Sequence, residues 1–254
     1  MANKQSLFFD LKGKTALITG AAKRIGRQIA LALASKGVNI VIHYNTSVQY
    51  AEYLAEEITK IGVKYYLLQA DLEVPEEAET LSDRAWNLTG GYQILVNNAS
   101  IFPQDTINSA TYESISRNFM INAWAPLLIS RKFAKKAETG KIINILDSRT
   151  KEINPKWHVS YLLSKKMLET FTNMMALEYA PGITVNGVSP GLILPPPGKD
   201  MSYIERLKDS IPLKKVGDPA QVVDAVLFLL KNDFITGQVI AVDGGRHLKN
   251  TTDG

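Results

Sequence analysis

The sequence predicts an α/β protein built on a doubly wound parallel sheet, and three observations carry that prediction. Short apolar runs alternate with amphipathic helical stretches along the chain. Two of those runs, Ala16-Leu17-Ile18 and Ile94-Leu95-Val96, are apolar on both faces, as strands buried between two helix layers must be. The first of them enters a helical pattern through the glycine-containing turn Thr19-Gly20-Ala21-Ala22-Lys23-Arg24-Ile25-Gly26. Right-handed crossovers would then place helices on both faces of the sheet.

The elements follow in order. Thr15 to Ile18 is the first strand, and a helix runs from about Ile25 to Ser35 before stopping at Gly37. Val38 to Tyr44 is the second strand. A helix over Val48 to Ile61 is closed by Gly62. Tyr65 to Gln69 forms the third strand, ending in Ala70-Asp71-Leu72, and Glu76 to Leu88 is helical. Ile94 to Val96 is the fourth strand and leads into Asn97-Asn98-Ala99-Ser100. Two longer helices flank a fifth strand, Lys141 to Leu146; the second of them extends to about Tyr179. Ile183 to Val188 is the sixth strand, followed by Pro190-Gly191. A looser segment, Leu194 to Ser210, holds three consecutive prolines and reads as a lid. Pro219 to Leu230 is helical, and Val239 to Val242 is a last strand before Asp243-Gly244-Gly245. No linker, repeat or low-complexity stretch interrupts this order, so residues 1–254 read as one domain with its core at about 10–249 and loose tails.

Composition narrows the function classes. The chain has 254 residues, 45% of them hydrophobic, enough to bury a core without covalent staples. The absence of cysteine excludes disulfides and thiolate metal sites and suits a reducing cytosol. Met1-Ala2-Asn3-Lys4-Gln5-Ser6 has no apolar h-region, so no secretory leader is expected. No apolar run is long enough to span a bilayer. The formal net charge of +4 is dispersed over short clusters without interleaved aromatics, which argues against nucleic acid and suits a small anionic ligand. The three histidines, His43, His158 and His247, are scattered without ligand spacing, so no metal is expected.

Gly20 and Gly26 bracket the first strand-to-helix turn, where backbone N–H groups and a helix N-terminus can meet a phosphate. Lys23, Arg24 and Arg27 crowd that N-terminus against the helix macrodipole, a conflict that a bound polyanion would relieve. An acidic residue after the second strand would bind the ribose 2′-hydroxyl of NAD. Here the segment reads His43-Tyr44-Asn45-Thr46-Ser47, with no acid. Arginine nearby and hydroxyls at the strand end favour NADP(H), with Arg24, Asn45, Thr46 and Ser47 around the 2′-phosphate.

Tyr161 and Lys165 stand one helical turn apart on a shared face. An ammonium beside a phenol favours the phenolate, so the phenol's pKa is expected to fall and ease proton exchange. A proton donor beside a dinucleotide turn points to hydride transfer with protonation.

Thr19-Gly20…Gly26, Asp71-Leu72, Asn97-Asn98-Ala99, Asn122, Tyr161…Lys165 and Pro190-Gly191 together resemble the short-chain dehydrogenase/reductase family, over nearly the whole chain. The resemblance implies a Rossmann-type sheet of about seven parallel strands and a homodimer or homotetramer. It also gives roles to residues. Tyr161 would be the general acid, Lys165 would bind the nicotinamide ribose, and Asn122 would hold a water linking the lysine to solvent. Asp71 with Leu72 would contact the adenine. Gly20, Lys23, Arg24, Ile25, Gly26, Tyr44, Asn98, Ala99, Ser100, Pro190 and Gly191 would complete the cofactor site, with Asn97 also lining it.

The fifth strand ends Ile145-Leu146-Asp147-Ser148-Arg149, where the family carries a serine that orients the carbonyl. Strand register puts Asp147 there; counting back from Tyr161 puts Ser148 there. Register is the firmer guide to side-chain direction, which favours Asp147. With an aspartate at this position, the chain is similar to the pteridine reductase branch, including the bacterial dihydromonapterin reductases, which reduce C=N bonds of dihydropterins with NADPH. In that branch Phe102 would sandwich the pterin against nicotinamide and Ser100 would hydrogen-bond it. Asp147, Tyr161 and Leu194 would complete the substrate site. The basic residue that the branch carries near Thr46 is absent. A ketone reductase such as a 3-oxoacyl-[acyl-carrier-protein] reductase is the enzymatic alternative. A non-catalytic NADP-binding regulator is the alternative of another class.

Overall fold

The computed structural model describes residues 9–151, 153, 156–196 and 198–249. The expected tails at 1–8 and 250–254, and the third proline of the lid at 197, lie outside the described residues. The strands are β1 (Thr15–Ile18), β2 (Asn39–Tyr44), β3 (Tyr65–Gln69), β4 (Ile94–Asn97), β5 (Gly140–Ile145), β6 (Ile183–Pro190) and β7 (Val239–Val242). They form one seven-stranded sheet in the order β3-β2-β1-β4-β5-β6-β7. Every neighbouring pair is parallel. Strand order reverses between β1 and β4, and ligands of such sheets bind beyond the carboxyl ends of the strands at that crevice.

The helices are α1 (Arg24–Ser35), α2 (Val48–Ile61), α3 (Pro75–Thr89), α4 (Tyr112–Phe119), α5 (Ala125–Lys136), α6 (Val159–Glu178), the short α7 (Met201–Glu205) and α8 (Pro219–Lys231). Period-two alternation along the strands sorts the core into two layers. Ala16, Ile18, Ile40, Ile42, Ile94 and Val96 pack with α1, α2 and α8 on one face. Leu17, Val41 and Leu95 pack with α3, α5 and α6 on the other.

A π-helical turn, Met120–Trp124, joins α4 to α5, so the helix expected before the fifth strand is a rod with a widened turn. In it the N–H of Ala125 reaches back to the carbonyl of Met120. Pro126 lies one residue on and has no N–H to return to the carbonyl of Asn122. Such turns recur at functional sites, and Asn122 lies at the middle of this one.

The segment after β6 is less loose than its prolines suggest. It contains α7 and a single 3-10 turn, Lys208–Ser210. Among the described residues no helix is long and apolar enough to cross a membrane.

Candidate active site

The turn between β1 and α1 is built by contacts that leave no room for larger residues at its glycines. Gly20 has φ +62, and a Cβ there would lie 2.9 Å from the Cα of Ala99. A Cβ on Gly26 would lie 2.4 Å from the carbonyl oxygen of Gly20. Asn98 ties β4 to this turn, its Nδ2 donating to the carbonyls of Thr19 (2.9 Å) and Gly20 (3.1 Å). The backbone N–H of Gly20 donates to His43 Nδ1 at 3.0 Å, and His43 Nε2 donates to the carbonyl of Ala70 at 3.1 Å. This buried imidazole therefore spans β1, β2 and β3 in its neutral form. Burial lowers its pKa to about 4, with the Ala70 bond opposing.

The three cations of the turn already have protein partners, so the crowding is not left for an anion alone to relieve. Arg27 pairs with Glu57 of α2. Lys23 sits with its ammonium 4.9 Å from the ring centroid of Tyr50, in the first turn of α2. Arg24 begins α1 in the left-handed region, at φ 57, and its guanidinium donates to the carbonyl of Pro195 at 2.8 Å. Arg24 thus reaches the lid, not the end of β2 where it was expected to meet a 2′-phosphate. The cation on the β2 side is Lys23. Around it Asn45 and Thr46 are exposed, Tyr44 and Ser47 are half-buried, and the Ser47 side chain makes no cap bond to α2.

Several expected cofactor residues serve the fold through their side chains. Asn97 is buried and donates to Ser130 Oγ (3.1 Å) and Asn144 Oδ1 (2.8 Å), so its side chain is engaged within the protein. Leu72 is buried in the core beneath α3. Asp71 is half-buried, and its carboxylate accepts from the backbone N–H of Glu73 at 2.9 Å. Ile25 and Ala99 pack against the core. Pro190 ends β6, and a Cβ on Gly191 would lie 2.6 Å from that of Asp243.

Beyond the ends of β4 and β5 the catalytic candidates converge. Tyr161 Oη donates to Asp147 Oδ2 at 2.8 Å. The other carboxylate oxygen, Oδ1, accepts from the backbone N–H of Arg149 (2.8 Å) and from its Nε (3.3 Å). Asp147 faces the tyrosine, whereas Ser148 Oγ is buried with no hydrogen-bond partner among the described residues.

The tuning of the phenol runs opposite to expectation. The pKa of Tyr161 is pushed well above its ordinary value, first by burial and then by the charge of Asp147. Their hydrogen bond adds to this, while Arg149 opposes it. Lys165 does not offset it: its ammonium donates to the carbonyl of Ile145 at 2.8 Å and lies 5.9 Å from the Tyr161 ring centroid. Burial lowers the lysine's own pKa to about 8. Tyr161 is thus held protonated, the state a proton donor needs.

The carboxamide of Asn122 is committed to protein. Its Nδ2 donates to the Ile101 carbonyl (3.1 Å) and Ser164 Oγ (3.0 Å), and its Oδ1 accepts from the Ile101 N–H (2.9 Å) and Ser100 Oγ (3.1 Å). Asn122 therefore joins the loop after β4 to α6. Any water it holds would fall to its backbone carbonyl. Ser100 is exposed, but its hydroxyl proton is shared between Asn122 and the Ile101 carbonyl.

Phe102 is also engaged differently than expected. His158 stacks on it with centroids 3.8 Å apart and planes 17° apart. Tyr161 meets it edge-on at 4.6 Å, and the Arg149 guanidinium lies 5.3 Å from its centroid. Protein thus covers one face of the Phe102 ring. Leu194 packs against the α1/α2/α8 core layer instead of standing free as a substrate wall. His43, Arg149 and His158 were missed in the sequence because the histidines were weighed only as metal ligands; the spacing of Arg149 from Asp147 was the available signal.

A family model described as enoyl-(acyl carrier protein) reductase matches residues 20–247. The chain belongs to the short-chain dehydrogenase/reductase family. A tetrahydroxynaphthalene reductase of Pyricularia oryzae is 32% identical, over 93% of this chain and 90% of its own. Among solved structures, the FolM alternative dihydrofolate reductase 1 from Brucella canis, complexed with NADP, superposes with a TM-score of 0.88. It is 33% identical, covering 96% of this chain and 98% of that one. The promiscuous reductase LugOII, which catalyses a keto-reduction in lugdunomycin biosynthesis, superposes with a TM-score of 0.87 at 32% identity, over 95% of this chain and all of that one. Among the described residues no cluster of His, Cys, Asp or Glu has metal-binding geometry.

Proposed function

We propose that this short-chain dehydrogenase/reductase reduces a C=N bond of a dihydropterin with NADP(H), Tyr161 serving as proton donor. The single observation that carries the reading is the 2.8 Å hydrogen bond from Tyr161 to a carboxylate, Asp147, at the position the family gives to a serine. A carboxylate accepts hydrogen bonds and donates none. The amidine-like N–H groups of a pterin find an acceptor there, whereas a ketone oxygen needs a donor.

The chain's own residues fit the cofactor. Backbone around Gly20 and Gly26 and the N-terminus of α1 suit a pyrophosphate, and no acidic residue stands in the first turn of α1. Lys23, with Asn45, Thr46 and Ser47, would hold the 2′-phosphate, while Arg24 holds the carbonyl of Pro195. An ammonium has three donors, and Lys165 spends one on Ile145, leaving N–H groups for a ribose diol. A bound reduced nicotinamide supplies the hydride. Tyr161 holds the proton on Oη and delivers it to the substrate nitrogen, while Arg149 keeps Asp147 oriented. Asn122 positions the loop carrying Ser100 and Phe102. We take the reaction to be cytosolic and the enzyme to be a homodimer or homotetramer. The exposed stripe Leu163, Met167, Met174 and Leu177 on α6 supports an assembly, and light scattering tests it.

Reduction of a ketone on a 3-oxoacyl chain is the second reading, supported by the keto-reduction attributed to LugOII. Steady-state assays with NADPH and NADH against 7,8-dihydrobiopterin and an acetoacetyl thioester separate the two. The proposal requires turnover of the dihydropterin with NADPH preferred. Turnover of the thioester alone supports the second reading, and cofactor binding without turnover of either supports a non-catalytic regulator.

A further inference from the structure

His158 holds an uncommon backbone conformation at an informative place. It precedes α6 as its N-cap, three residues before Tyr161, with φ 55 and ψ 40 in the left-handed region. Non-glycine residues adopt this region rarely, and such outliers concentrate where a site imposes a geometry. His158 makes no side-chain cap bond to the helix it begins. Instead its ring lies flat on Phe102 at 3.8 Å and its Nδ1 meets the carbonyl of Pro103 at 2.6 Å.

That contact fixes the tautomer. A carbonyl only accepts, so Nδ1 carries the hydrogen and Nε2 of the neutral ring is an acceptor. Nε2 has no hydrogen-bond partner among the described residues. Burial lowers the imidazole's pKa and Arg149 acts in the same direction, while the Pro103 bond, Asp105 and Asp147 oppose them. The neighbourhood is otherwise firmly built: buried Asp105, on the same loop, accepts from both the backbone N–H and the hydroxyl of Ser160. The loop and the first turn of α6 therefore hold the Phe102–His158 pair as one unit beside Tyr161.

We propose that His158 is a substrate-recognition residue, whose ring takes one face of Phe102 and whose Nε2 accepts a hydrogen bond from an N–H of a flat heterocyclic substrate. The inference rests on the dihydropterin reading above and deepens it. Asp147, bonded to Tyr161, and His158, stacked on Phe102, would supply two acceptors, which selects for a ring bearing several N–H donors and against a simple ketone.

Calorimetric titration of the NADP⁺ complex with 7,8-dihydrobiopterin tests this. His158→Phe keeps a flat ring for the stack and removes both nitrogens. His158→Asn tolerates the left-handed backbone and serves if the phenylalanine variant does not fold. The dihydropterin dissociation constant should rise about tenfold in either variant, with that for NADP⁺ within about twofold of wild type. Unchanged dihydropterin affinity beside intact NADP⁺ binding overturns the inference, and so does loss of both affinities together, which would make His158 merely structural. A wild-type protein that binds NADP⁺ but no dihydropterin sinks the dihydropterin reading itself, and this inference with it.

Discussion

Tyr161 and Asp147 share one hydrogen bond, 2.8 Å long, in which a buried phenol is the donor and a strand-end carboxylate the acceptor. Burial first, and then the charge of Asp147, keep the phenol protonated, and the proposed dihydropterin reaction draws on the same pair. Tyr161→Phe deletes the acid without removing the ring that packs on Phe102. We expect kcat to fall by about 10²- to 10⁴-fold, the usual contribution of a positioned acid. Stability should change by only about 1 kcal/mol, the net value of one intramolecular hydrogen bond. Stopped-flow single-turnover rates and thermal melts check the two halves separately.

Lys165 sets an alkaline limit. Its pKa in the folded protein, about 8, lies below the ordinary lysine value, so the ammonium is present below that pH and lost above it. If the ammonium holds the ribose, kcat/KM for NADPH in the free enzyme falls as pH rises through about 8. Tyr161, whose pKa is raised well above 10, stays protonated over the same interval. Lys165→Arg remains charged throughout and should flatten the limb while lowering its plateau. The pH profile of kcat/KM for both proteins is the check.

His43 sets an acid limit of another kind. Its folded pKa, about 4, is depressed below the ordinary 6.5, so the unfolded chain takes up the proton first as pH falls. Its contribution is fully present above about pH 6.5 and is lost progressively down to about pH 4, amounting to roughly 3 kcal/mol. Urea denaturation across this window should show that loss, and His43→Gln should lessen it. Protonation also removes the acceptor for the Gly20 N–H, so NADP⁺ affinity of the folded protein should weaken only as pH falls through about 4.

How much of this was legible beforehand varied with the range of the interactions. β1 falls where its apolar run puts it, because a strand buried on both faces declares itself locally. The π turn at Met120–Trp124 was not legible, since its apolar pattern continues that of the flanking helices. Asp147 was legible through strand register, a local property. The upward shift of the Tyr161 pKa was not, because helix spacing shows that Lys165 shares a face but not that its ammonium turns to Ile145. Phe102 and Arg24 have protein partners that the sequence did not disclose. His158 and Pro195 reach them across 56 and 171 residues of chain, distances over which only the folded loops decide contact.

Asp147→Ser, assayed on two substrates, tests the central claim most directly. Serine restores the family's donor at that position and replaces the anionic, two-oxygen acceptor proposed to bind an amidine-like ring with a single neutral hydroxyl. Steady-state kcat/KM should fall about a hundredfold for 7,8-dihydrobiopterin and stay within a few-fold for any ketone that the wild-type enzyme reduces. Equal losses on both substrates, or no loss on the dihydropterin, would contradict the account.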